Sequence, residues 1–106
     1  MPASTASSSR PSVDLHLTVH GLVQGVGFRE GMMRVAMQAQ VHGWVCNRLN
    51  GTVEAALRGS EPACEILVVW ARRGPPAGRV DRVDVRPATE QESALIGKGF
   101  YCLQTW

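Results

Sequence analysis

One stretch of the chain, Gly21-Leu22-Val23-Gln24-Gly25-Val26-Gly27-Phe28-Arg29, has the residue types that hold an anion. The run before it alternates like a strand, and the run after it has helical spacing. Gly21, Gly25 and Gly27 leave the backbone free to bend and let a ligand approach the main chain. A tight loop opening a helix exposes unpaired N–H groups, and the helix dipole adds partial positive charge. Together these favour a phosphate-sized group. Arg29 adds a permanent charge on a planar donor fork that matches phosphate oxygens. The same residues also suit a plain strand-to-helix turn with a solvated arginine, and the stretch alone leaves both readings open. Asn47 is the second candidate. Its amide carries donors and an acceptor, so it could hold a water beside a bound anion. It could equally bond its own backbone at a strand end.

The rest of the chain must position these groups. At 106 residues with 44% hydrophobic and 19% charged residues, it has the makings of one small globular domain. A net charge of +2 gives no strong field for nucleic acid or membrane, but suits a small anionic substrate. Cys46, Cys64 and Cys102 have no metal-type spacing and read as small buried hydrophobes in a reducing compartment. No apolar run is long enough to span a bilayer. Residues 1–12, rich in Ser, Thr and Ala, read as a disordered tail without a secretory h-region, and residues 13–106 as the domain. A cytoplasmic monomer is expected.

Leu15, Leu17 and Val19 alternate with His16, Thr18 and His20, a half-buried strand. Met32, Val35, Ala36 and Ala39 mark an amphipathic helix from Arg29 to about Gln38. Gly31 in its first turns should weaken it by about 1 kcal/mol relative to alanine. Val41 to Leu49 and Thr52 to Arg58 flank Asn50-Gly51, the signal of an antiparallel hairpin with positive φ at both central residues. Ser60 can cap a second helix whose apolar face is Ala63, Ile66, Leu67 and Trp70. Gly74 and Pro75-Pro76 end that helix. Arg79 to Arg86 is a further strand, and the phase of Val80 against Val83 and Val85 allows a bulge. A polar segment then leads to a short strand at Phe100–Leu103. The order β-α-β-β-α-β plus a short C-terminal strand predicts an α+β fold. It is the ferredoxin-like split βαβ sandwich, an antiparallel sheet with two helices on one face.

The Gly21–Arg29 stretch resembles the first signature of the acylphosphatases, V-Q-G-V-x-[FM]-R. Gly43-Trp44-Val45-Cys46-Asn47 with Gly51-Thr52-Val53 is similar to their second, G-W-V-x-N-x-x-x-G-x-V. Trp70 with Gly74-Pro75-Pro76 and Arg79-Val80 resembles a third family segment. The resemblance runs from about Leu15 to the C-terminus. It implies that Arg29 binds the substrate phosphate together with main-chain N–H groups of Leu22, Val23, Gln24, Gly25, Val26 and Gly27. It implies that Asn47 orients the attacking water. The implied reaction is hydrolysis of a small-molecule acyl phosphate to a carboxylate and inorganic phosphate, with no metal or cofactor. Such chemistry needs positioning and charge stabilisation more than an acid–base pair, and the phosphate itself can take the water's proton. Glu30, Ala39 and Gln40 depart from the family's usual residues, and Arg48 reads as an outer charge or a solvated strand end.

Other chemistries fit less well. His16, His20 and His42 lack a carboxylate or cysteine to complete a metal set, and His16 and His20 should lie on the exposed sheet face. Cys46 has no evident base. Gly25-x-Gly27 with Gly31 misses the dinucleotide spacing, and no Lys-Ser/Thr pair marks a nucleotide loop. An RNA-binding module of the same sandwich would stack bases on open-face aromatics. The face read here, His16, Thr18, His20, Thr52, Glu54, Ala56 and Arg58, offers none. The acylphosphatase-like module of larger carbamoyl-transferring maturation proteins shares V-Q-G-V-G-F-R. Those proteins continue into zinc-finger segments, so the free-standing enzyme is expected.

Overall fold

A computed structural model describes residues 11–106. Of the stretch read as a tail, residues 1–10 lie outside the described residues, and Ser12 already pairs with Ser60 in the first strand. The elements are β1 (Ser12–Leu22), α1 (Phe28–Ala39), β2 (His42–Asn47), β3 (Val53–Ser60), α2 (Glu61–Arg73), β4 (Arg79–Pro87), α3 (Glu90–Ala94) and β5 (Phe100–Cys102). The strand order is β4-β1-β3-β2-β5. β1 lies antiparallel between β3 and β4, and β2 lies antiparallel to β3. These four strands with α1 and α2 form the expected ferredoxin-like sandwich.

The sheet is not wholly antiparallel, however. β5 pairs parallel to β2, with Gly43 opposite Phe100. The reason is topological. β4 and β5 occupy opposite edges, so residues 88–99 must cross the sheet before β5 enters beside β2. Their crossing covers the face that the sequence reading left open. Trp44, Cys46, Ala56 and Ile96 are buried together there, with Leu103 packed against them. His16 is only 2% exposed, which corrects its placement on an exposed face. The reading of that face also missed Trp44, which pairs with Ala56 across β2 and β3. α3 sits within the segment read as merely polar. Thr89 and Glu92 close a reciprocal capping box that starts it.

The main core lies between the sheet and the helices, centred on Leu17, Val19, Phe28, Met32, Val45, Leu57 and Leu67. Ser60 caps α2 by accepting from the Ala63 N–H at 3.3 Å. The buried residues of α2 are Cys64, Leu67, Val68 and Ala71, while Ile66 is exposed. The expected face is thus displaced by one residue. Trp70 faces sideways, its ring 5.0 Å from Phe28 of α1.

Gly31 permits that approach, since a Cβ there would stand 2.5 Å from the Trp70 ring. The hairpin at Asn50-Gly51 forms, but by a different turn. Arg48 N–H bonds Thr52 O, Gly51 N–H bonds Arg48 O, and only Gly51 has positive φ, at 94°. This is a three-residue loop ending in a left-handed glycine. The expected bulge is present where β1 meets β4: His20 faces Arg82 and Gly21 faces Val80, leaving Asp81 unmatched.

Candidate active site

The loop between β1 and α1 is held at both ends. At its start, Gly21 (φ 130°) lets the backbone of β4 come close, since a Cβ would meet Arg79 O at 2.2 Å. Val23 is buried and anchors the loop in the core. Gln24 turns away from the loop, and its Nε2 donates to Arg48 O at 2.7 Å and Thr52 O at 2.9 Å. These bonds stitch the loop to the β2–β3 turn just beyond Asn47. Gly25 and Gly27 take φ of 74° and 85°, with open space where a side chain would stand. Gly27 is the N-cap of α1 and supplies no capping side chain, so the first amides of the helix meet no side-chain acceptor there. Phe28, buried against Trp70, fixes the first turn. Arg29 follows it, half-buried.

A cleft of about 360 Å³ opens here, lined by Val23, Gly25, Gly27, Phe28, Arg29, Glu30 and Asn47. Arg29 and Asn47, remote in sequence, therefore share one site. Asn47 is the last residue of β2, opposite Val53. Its Oδ1 is buried and has no hydrogen-bond partner among the described residues. An orphan acceptor of this kind is costly unless a water or ligand satisfies it. Of the expected phosphate-binding residues, Val23, Gly25, Gly27 and Arg29 line the cleft. Leu22, Gln24 and Val26 do not. No ion pair engages Arg29 among the described residues.

Sequence reasoning missed the part played by the C-terminus. Trp106 N–H bonds Asn47 O at 3.2 Å, and Leu49 N–H bonds Trp106 O at 2.9 Å. Arg48 lies over the Trp106 ring, 5.2 Å from its centre, and pairs with Glu54 at 2.8 Å. Arg48 is thus bound, while still partly exposed, into a network on the far sheet face and does not line the cleft. No short-range pattern marks a terminal tryptophan as a clamp on the residue beside the site. Cys46 points to that same far face, and burial pushes its thiol up. It does not line the cleft.

A carboxylate set does gather around one histidine, contrary to the sequence reading. His16 Nε2 lies 2.5 Å from Glu54 Oε2 and 3.6 Å from Glu92 Oε2. Each carboxylate already has a guanidinium, from Arg48 and Arg86 respectively. Burial pushes Glu54 up, but bonds from His16 and Arg48 outweigh it and leave the carboxyl below its usual range. The paired bonds of Arg86 bring Glu92 down to about 2. The cluster ties β1, β3 and α3 together. His20 lies 3.0 Å from Asp84, and His42 Nδ1 accepts from Gly99 N–H at 2.7 Å.

A family model described as Acylphosphatase matches residues 15–101. An acylphosphatase of Acidovorax sp. (strain JS42) is 50% identical over 82 residues, which is 77% of this chain and 84% of that protein. The crystal structure of acylphosphatase from Bacillus subtilis superposes with a TM-score of 0.77 at 31% identity, over 86% of this chain and 98% of that one. The crystal structure of HypF from T. kodakarensis superposes with a TM-score of 0.71 at 28% identity. That match covers 84% of this chain and 11% of HypF.

Proposed function

This chain belongs to the acylphosphatase family, enzymes that hydrolyse acyl phosphates, and from that premise we propose how its cleft divides the work. The phosphate of the substrate sits at the mouth of the loop, held by the Arg29 guanidinium and by main-chain N–H groups between Leu22 and Gly27. Its negative charge is met by fixed donors that need no rearrangement as charge spreads over the equatorial oxygens. The Asn47 side-chain amide holds a water in the cleft and aims the water oxygen at phosphorus. The water oxygen bonds to phosphorus as the bond from phosphorus to the acyl oxygen breaks, and the carboxylate leaves with that electron pair. One water proton passes to a phosphate oxygen. A carboxylate leaving group is stable enough to need no general acid.

The observation that carries this reading is the cleft shared by Arg29 and Asn47. Hydrolysis of benzoyl phosphate, assayed with and without a chelator and with inorganic phosphate as inhibitor, tests it. Turnover should be unaffected by the chelator, and phosphate should compete with substrate. Loss of activity in chelator, or phosphate inhibition that is not competitive, would overturn the scheme.

The partners and setting follow the same reading: a monomer in a reducing cytoplasm, acting on a small molecule and not on nucleic acid. Trp44, the aromatic of the far sheet face, is buried beneath the crossing segment and offers no stacking surface. The exposed edge strand β4 carries Arg79, Asp81, Arg82, Asp84 and Arg86, charges that discourage pairing with another chain. The described cysteines are free thiols. Among the described residues no helix is long and apolar enough to cross a membrane.

A further inference from the structure

A second cleft adjoins the first across Gly27. It measures about 500 Å³, and Gly31, Arg34, Trp70, Arg73 and Pro75 are among its walls. Gly27 borders both clefts. A side chain at Gly27 would stand in open space, so that residue raises no side chain where the two clefts meet. The charges differ on the two sides. The phosphate cleft carries Arg29 and Glu30, whereas the second carries Arg34 and Arg73 and no carboxylate. Both of these arginines are exposed. Neither enters an ion pair among the described residues. Arg73 stands in the last turn of α2, where the helix dipole favours a cation. Arg34 stands in the middle of α1, four residues after Glu30. Trp70 supplies a half-buried aromatic wall, held in place by the bare Gly31 and by the Phe28 ring. An aromatic surface with two guanidinium groups beside it suits an organic chain that ends in an oxyanion.

We propose that this second cleft receives the acyl portion of the substrate, and that Arg34 and Arg73 select acyl groups ending in an anion. The inference rests on the reading that the first cleft holds the phosphate under attack. Butyryl phosphate and succinyl phosphate have the same number of carbons and differ by a terminal carboxylate. 3-Phosphooxypropionyl phosphate presents a terminal phosphate instead. At low ionic strength the protein should show kcat/KM about tenfold higher for succinyl than for butyryl phosphate. That preference should shrink toward unity with added salt, and also in the double variant Arg34→Gln/Arg73→Gln. A larger ratio for the phosphate-ended substrate than for succinyl phosphate assigns the site to a phosphate, and a smaller one to a carboxylate.

No preference in the unmodified protein, or a preference undiminished in the double variant, would overturn the inference. Acetyl phosphate has no group to place in the second cleft and reports on the phosphate site alone. If it is hydrolysed while the preference is missing, only this inference falls. If it is not hydrolysed, the reading of the first cleft falls with it.

Discussion

In the proposed scheme Arg29 and Asn47 act on different partners in one event, the first on the phosphate and the second on the water, and their variants should separate accordingly. Arg29→Ala removes the guanidinium that lines the cleft among the described residues. It should lower turnover by on the order of 10²-fold or more and weaken competitive inhibition by phosphate. Asn47→Ala leaves the loop and guanidinium in place. It should lower turnover by about 10²-fold while the inhibition constant for phosphate stays within roughly twofold. Steady-state kinetics on benzoyl phosphate with phosphate titrations would show the split; near-normal hydrolysis by both variants would remove these roles. Glu30 lines the same cleft, so the departure from the family pattern noticed in the sequence is present at the site itself. What the sequence could not show at this scale is Gln24. It reads as one more member of the loop, yet its side chain ties that loop to the hairpin carrying Asn47.

At the scale of elements, α1 shows local propensity and packing pulling in opposite directions. Alanine in place of Gly31 would favour the isolated helix by about 1 kcal/mol. In the folded protein its Cβ would meet the Trp70 ring at 2.5 Å and 2.8 Å, and overpacking of this kind costs about 1–3 kcal/mol. Gly31→Ala is therefore expected to lower the urea midpoint, and a raised midpoint would mean that Trp70 moves aside freely. The other end of α1 offers the opposite case. Gln40 ends the helix in the left-handed conformation at φ 58° and ψ 42°, which glycine adopts without steric cost. Gln40→Gly should stabilise by about 0.5–1 kcal/mol and raise Tm by a few degrees. An unchanged or lower Tm would show that the Gln40 side chain compensates elsewhere.

For the molecule as a whole, the segment that crosses the sheet is fastened by charge, and its hold should depend on pH. Glu92 titrates near 2 in the folded protein, mainly because Arg86 binds it at 2.7 Å and 2.8 Å, against an ordinary value of 4.5. A carboxyl lowered by folding stabilises fully above its unfolded value, and that contribution drains as pH falls toward its folded one. Arg86 is about half exposed, with 47% of its side chain accessible, so solvent screening reduces the contribution to about 1–2 kcal/mol. Glu92→Gln should therefore cost that much at pH 7, with the gap to the unmodified protein closing between about pH 4.5 and pH 2. Denaturant titrations at pH 7, 4 and 2.5 would follow it. A gap that persists at the lowest pH would place the effect in packing, not in the ion pair.

The amino-acid sequence determined what depends on neighbours along the chain. Glycines where the backbone bends, an arginine opening a helix, Ser60 at a helix start and Asn50-Gly51 between two alternating runs all act through local backbone conformation, which a linear pattern records. The tertiary structure decided what depends on which strands become neighbours. Only the strand order brings Asn47 beside Arg29, and only the passage from one sheet edge to the other buries His16, Trp44 and Ala56 under Ile96. That crossing segment is mostly polar, because its burial is spent on capping bonds and ion pairs more than on apolar side chains. It therefore leaves no hydrophobic period in the sequence from which the covered face could be read.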